Sequence, residues 1–172
     1  MARRSTHAGQ RFLRHLATDH GSARRAFPKA ALDRIEAAVA EGEQRHRGQL
    51  RFVVEASLPL VRVLHGVTPR ERALEVFGAT RVWDTEENCG VLLYVLLADH
   101  AVEIVADRGV HAHVGAAAWS AVCRKMEEAF RARRFGDGAV AGVAEVNALL
   151  ARHYPCEGGA GANELPDKPL VL

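Results

Sequence analysis

The chain has 172 residues, 48% hydrophobic and 26% charged, with a net charge of +2. That suits one globular domain with a sizeable core and excludes low-complexity or collagen-like chains. No run approaches the roughly 18–20 apolar residues of a membrane-spanning helix. Cys89, Cys123 and Cys156 form an odd set without metal-ligand spacing, as expected in a reducing compartment.

Residues 1–27 carry Arg3, Arg4, Arg11, Arg14, Arg24 and Arg25 against Asp19 alone, whereas acidic residues slightly outnumber basic ones in the remainder. The opening segment is therefore expected to be a basic arm on a mildly acidic body. Arg and His interrupt each early apolar run, so no signal peptide is expected and the chain reads as cytoplasmic. Pro28 marks the domain entrance and a helix start. The helix that follows places Leu32, Ile35, Val39 and Gly42 on one face and ends at Gly48. Residues 50–56 read as a short strand, and Pro59 and Gly66 keep 57–67 irregular. Thr68 caps the next helix, with Pro69 first and Glu71 at the capping-box position, and Ala73, Val76, Phe77 and Thr80 facing inward.

The run 91–97 is apolar throughout, the signature of a strand buried on both faces, and 101–106 alternates as a more exposed partner. Ala98-Asp99-His100 is too short a link for anything but an antiparallel pair. Folding about Asp99 places position 91 opposite 107 and position 90 opposite 108. Helices over 116–133 and 138–153 follow, the first packing Trp119, Val122, Met126 and Phe130, the second Val143, Val146, Leu149 and Leu150. Trp83 and Phe135 are expected to cover the ends of the core. The Gly- and Pro-rich segment 156–172 is expected to be disordered. The domain plan is thus a basic arm at 1–27, an α/β domain at 28–155 and a tail at 156–172. A strand–helix–strand crossover makes the strands at 50–56 and 91–97 parallel. The fold class is α/β, a small mixed β-sheet sandwiched between helices.

The hairpin register brings the loop bearing Asp84, Glu86, Glu87 and Asn88 to Asp107 at one end of the sheet. These are hard oxygen donors of the kind Ca2+ and Mg2+ prefer, and they form the candidate metal site. An EF-hand spacing is missing, and the same residues would serve as turn caps and solvated carboxylates. His111 and His113, close behind Asp107, form a secondary candidate pair for a borderline metal. No catalytic residue is assigned. Cys89 sits among carboxylates that raise a thiol pKa, and Ser120 has no His and Asp partners in sequence. A phosphatase built from this chain would depend on a bound cation to activate water.

The segments LRFVVEAS, NCGVLLYVLLADHAVEIVADRGV and FRARRFGDGAVAGVAEVNALLARHYP, in this order of elements, resemble the TPM domain over residues 28–155. That resemblance implies a mixed sheet between helices. It also implies, from different relatives, acid phosphatase activity, calcium binding or the maintenance of membrane-associated complexes. The chain departs from the family's Asn-Gly-Val-Leu by placing Cys89 between Asn88 and Gly90. Ala106-Asp107-Arg108-Gly109 stands where the family has Gly-aromatic-Gly.

The leading functional expectation is a non-enzymatic accessory protein that binds Ca2+ or Mg2+, or a protein partner, at the acidic end of its sheet. The six arginines of the arm would supply a second contact, to an anionic membrane surface. The alternative is a low-specificity, divalent-cation-dependent phosphatase. Nucleic acid is disfavoured because the arm lacks stacking aromatics.

Overall fold

A computed structural model describes residues 2–156 and 163–172, with side chains described from residue 8 onward. Three helices open the chain: α1 (Ala2–Ala17), α2 (His20–Ala26) and α3 (Lys29–Glu43). Strand β1 (Gln49–Glu55), short helix α4 (Leu60–Leu64) and helix α5 (Pro69–Ala79) come next. The hairpin β2 (Gly90–Leu96) and β3 (Ala101–Ala106) leads to α6 (Arg108–Val114), α7 (Ala116–Arg131) and α8 (Phe135–His153). A final strand, β4 (Leu170–Val171), ends the chain.

The sheet order is β3-β2-β1-β4. β1 is parallel to β2 and β4, and β2 is antiparallel to β3, as the crossover and the short link require. Every residue of β2 is buried, whereas β3 is partly exposed. Side chains of a strand alternate between faces, so β2 feeds two cores. Val91, Leu93 and Val95 join Ile35, Val39, Trp119, Met126, Phe130, Val143 and Leu150 from α3, α7 and α8. Leu92, Tyr94 and Leu96 join Leu58, Val63, Ala73, Val76 and Val82 on the α4–α5 side. This is the sheet between helix layers that the apolar patterning implies. The capping box of α5 is present: Thr68 Oγ1 accepts from the Glu71 amide, and Glu71 Oε2 accepts from the Thr68 amide at 2.7 Å.

Three expectations need correction. The hairpin register differs by one residue, with Val91 opposite Ala106 and Leu96 opposite Ala101. The turn therefore spans four residues, 97–100, and is centred between Ala98 and Asp99; it closes through His100, whose φ of 53° is left-handed. Trp83 is 49% exposed and covers no core, whereas Phe135 packs against Phe27 and Phe130. The tail beyond residue 162 is ordered. Gln49 Oε1 accepts from the amides of Glu164 and Leu165, Arg51 donates to the carbonyls of Pro166 and Lys168, and β4 extends the sheet beside Val53 and Val54. The remainder of the expected disorder, 157–162, lies outside the described residues.

The basic arm is also not a free arm over its described side chains. Phe27 and Ala23 are buried in the first core, and Phe12 packs against the second. Asp99, at the hairpin tip, fastens α1. Arg11 donates to both of its carboxylate oxygens at 2.7–3.0 Å and to the Val67 carbonyl at 2.7 Å. The Leu58 amide donates to His15 Nδ1 at 2.9 Å, so that nitrogen carries no proton. The other ring nitrogen, Nε2, lies 3.2 Å from Asp99 Oδ1. Burial, opposed by Asp99, holds the His15 pKa below its ordinary value. Leu13 and Leu16, in contrast, are exposed. Arg11 is therefore engaged as an internal tie between α1, the hairpin tip and Val67.

Two stability tests follow from these contacts. Asp99→Ala strands Arg11 and His15 and should cost about 3 kcal/mol in urea unfolding, the scale for removing one partner of a buried pair. The amides of α1 should then exchange early; unchanged stability would show that α1 is held by other contacts. At the other side of the molecule, Glu43 Oε1 accepts the Leu50 amide at 2.9 Å, while Oε2 is buried without a partner. Burial, reinforced by Asp167 and opposed by the Leu50 bond, pushes its carboxyl from 4.5 up to about 7. The folded chain then holds a proton that the unfolded chain releases, so this group's contribution falls as pH rises across that window. Glu43→Gln should flatten the fall in urea midpoint between pH 5 and pH 8, and an identical slope in the variant would refute the assignment.

Candidate functional site

The end of the sheet where β2 begins and β3 finishes gathers the chain's candidate ligands. Two tight turns build the approach to β2: the Asp84 amide donates to the Arg81 carbonyl and the Asn88 amide to the Thr85 carbonyl. Thr85 is buried, and its hydroxyl accepts the Cys89 amide at 3.0 Å, which fixes the second turn. Arg81 and Asn88 both adopt left-handed φ, 56° and 51°. Gly90 follows because a Cβ there would run into the Val82 carbonyl oxygen.

Asp107 meets this loop from the other strand, its amide donating to the Gly90 carbonyl at 2.9 Å. It precedes α6 without capping it through its side chain. Its Oδ2 is buried and has no hydrogen-bond partner. Burial raises the Asp107 pKa, partly offset by the backbone amides of Arg108 and Gly90 and by the Arg108 charge. The Asn88 carbonyl lies on the same side, 3.9 Å from where a Cβ on Gly109 would stand.

The other expected ligands are held differently. Glu87 is paired with Arg47 at 2.5 Å. Asp84 is half exposed and 3.8 Å from Arg81. Glu86 offers its backbone amide to the Glu164 carboxylate at 2.9 Å. The structure thus seats Asp107 against the loop through Gly90, ties Glu87 to a cation and leaves Asp84 and Glu86 on the rim. Among the described residues, no group of three or more His, Cys, Asp and Glu side chains is placed to hold a metal ion.

Four further residues belong to this end. Arg47 and Glu164 supply charge to the loop. Tyr154 lies close enough to Asp107, Glu87 and Arg47 to feel their charges. His113 Nδ1 lies 2.8 Å from the Gly109 carbonyl and 3.1 Å from the Tyr154 hydroxyl, which fixes the ring beside Tyr154. Glu164 had no signal in sequence, because the tail around it looked structureless. Arg47 sits just before β1, and only the parallel pairing of β1 with β2 brings it to the loop.

The nucleophile candidates are constrained. Cys89 is buried, its thiol donates to the Arg47 carbonyl at 3.1 Å, and burial pushes its pKa up. Ser120 lies on the exposed side of α7. His100 is at the far end of the hairpin. Among the described residues this end offers oxygen ligands, and its Cys89 thiol is buried and not activated.

This is a three-layer α/β/α domain with a mixed four-stranded sheet and a loop-built end, and its sequence places it more narrowly. The TPM domain model matches residues 24–149, so the chain belongs to the TPM domain family. The match begins within α2, a few residues earlier than the resemblance at 28–155 implied, and so takes in Phe27. In solved structures the chain is similar to the BA42 protein from the psychrophilic bacterium Bizionia argentinensis, determined by NMR. The TM-score is 0.70 at 23% sequence identity, over 87% of this chain and 94% of that one. At that identity the likeness concerns the fold. None of the curated proteins matches the chain in sequence. No helix among the described residues is long and apolar enough to cross a membrane.

The raised Asp107 carboxyl has a measurable sign. The folded chain keeps this proton at pH values where the unfolded carboxyl, with an ordinary value of 3.8, has lost it. The contribution to stability therefore falls as pH rises from 3.8 through the folded value. Asp107→Asn should remove that fall without unfolding the chain, and carboxyl carbon NMR should show Asp107 titrating above the ordinary aspartate range. Titration at or below 3.8 would contradict the burial of Oδ2.

Proposed function

We propose that this TPM-domain protein is a non-enzymatic accessory protein that binds a divalent cation, Ca2+ or Mg2+, at the Asp107 end of its sheet. The observation that carries the reading is the buried Asp107 Oδ2, which has no hydrogen-bond partner beside a loop rich in oxygen donors. A buried polar atom without a partner is costly, and a cation satisfies a carboxylate more strongly than a neutral donor does. Asp107 and Asn88 would hold the ion, with Asp84 at the rim. Glu87 becomes available only when it leaves Arg47.

Few protein ligands are in place, so water must complete the shell, and the affinity should be about 0.1–1 mM, the scale of weak calcium sites. A bound cation would screen the charge of Asp84, Glu86, Glu87 and Glu164 and present a neutralised surface. A protein partner docking at this end would then respond to the ion.

Amide shifts of the full chain titrated with CaCl2 or MgCl2 test the reading. Shifts should concentrate at residues 84–90 and 106–110, and Asp107→Asn should weaken binding at least about tenfold. Arg47→Ala, which frees Glu87, should tighten it. A wild-type chain showing no shifts there at 10 mM of either ion, a dose chosen about tenfold above the weak-site scale, would refute the proposal. Hydrolysis of a generic phosphomonoester should stay at background with either ion. An ion-dependent turnover near the median enzyme scale of ~10 s⁻¹ that is lost in Asp107→Asn would establish the phosphatase instead.

A further inference from the structure

At the opposite end of the sheet, where parallel β1 and β2 finish, an open cleft of about 800 Å3 lies beneath α2 and the α7–α8 turn. Open α/β sheets bind ligands outside the carboxyl ends of their parallel strands, and small-molecule sites commonly span about 300–1,000 Å3. The charge of this cleft has one sign. Arg25, Arg131, Arg133 and His100 line it, and none of the described lining residues is acidic.

The guanidinium groups arrive from elements remote in sequence, and their present partners hold them loosely. Arg25 is 3.8 Å from Asp19, and Arg131 is 3.3 Å from Glu127, both exposed pairs of the kind that contribute little. Arg133 has no ion-pair partner among the described residues. Two of the four left-handed non-glycine residues described, His100 at 53° and Arg133 at 63°, line this cleft. Such conformations cost energy and tend to persist where they aim a side chain.

The floor is apolar. Phe130 and Val95 are buried at its base, and Phe135, which is partly exposed, lines it beside them. Basic groups over an aromatic floor suit a ligand with an anionic head and an apolar body. Arginine in particular matches phosphate, because its planar fork donates two parallel hydrogen bonds. Ser22, which accepts from Arg25 at 3.0 Å, adds a hydroxyl at the same wall.

We propose that this cleft, formed by Arg25, Arg131, Arg133 and His100 above Phe130 and Phe135, binds a soluble organic phosphate with an aromatic or apolar body. It is separate from the cation end, at the other edge of the hairpin.

Phenyl phosphate, inorganic phosphate and phenol are the probes, each titrated into the full-length chain and followed by amide shifts. Phenyl phosphate should shift residues 95–100 and 131–135 and bind at least about tenfold more tightly than either fragment. Arg133→Gln and Arg25→Gln should each weaken it about ten- to hundredfold, the range for losing a charge-assisted pair. Arg152→Gln, at the far end of α8, should leave it unchanged. No shift in these residues at 10 mM phenyl phosphate, about ten times the 1 mM that marks very weak binding, would overturn the proposal, as would equal losses in all three variants. Binding only to phosphatidylglycerol vesicles, with phenyl phosphate ignored, would overturn it in favour of a lipid surface. Shifts confined to residues 84–90 would report on the cation end and would equally overturn it.

Discussion

Everything in this molecule follows from the burial of β2. A seven-residue strand with no exposed position must be paired on both edges and covered on both faces. β1 and β3 satisfy its edges, α3, α7 and α8 cover one face, and α4 and α5 cover the other. The loops are then pushed to the two ends of the strands, which is where both sets of chemically distinctive residues lie. The polar exception on β2, Tyr94, is accommodated by Glu55, whose carboxylate accepts its hydroxyl at 2.6 Å and is also bound by Arg72.

Much of this was legible without coordinates. The unbroken apolar run of β2 and the alternation in β3 specify which strand is central. Thr68 and Glu71 announce α5, and helical spacing marks the inward faces of α3, α7 and α8. What escaped had weaker local signals. α1 has a basic, polar composition, and its attachments, to Asp99, to the backbone of Leu58 and Val67 and through Phe12, are reached across a long stretch of chain. The tail has too few apolar residues to predict order. It is held by hydrogen bonds to Gln49 Oε1 and from Arg51, side chains whose partners no periodicity reveals, together with buried Leu165 and the pairing of β4 with β1.

The acidic end shows the same division. Hairpin geometry correctly brings Asp107 to the loop before β2, although the four-residue turn shifts its exact partner to Gly90. Composition says that carboxylates cluster there, but not which are already engaged. Glu87 is neutralised by Arg47, a residue brought in by the parallel pairing of β1, whereas Asp107 has an oxygen buried without a partner. The two ends of the sheet consequently differ in sign, oxygen-rich where β2 begins and guanidinium-rich where it finishes.

Long-wavelength anomalous diffraction from crystals of the full chain holding Ca2+ would test the central claim most directly. A calcium peak is expected about 2.3–2.6 Å from Asp107 Oδ2, the normal calcium–oxygen distance, with the Asn88 carbonyl in the same shell. Asp107 Oδ2 hydrogen-bonded to a protein donor, with no calcium beside it, would contradict the account.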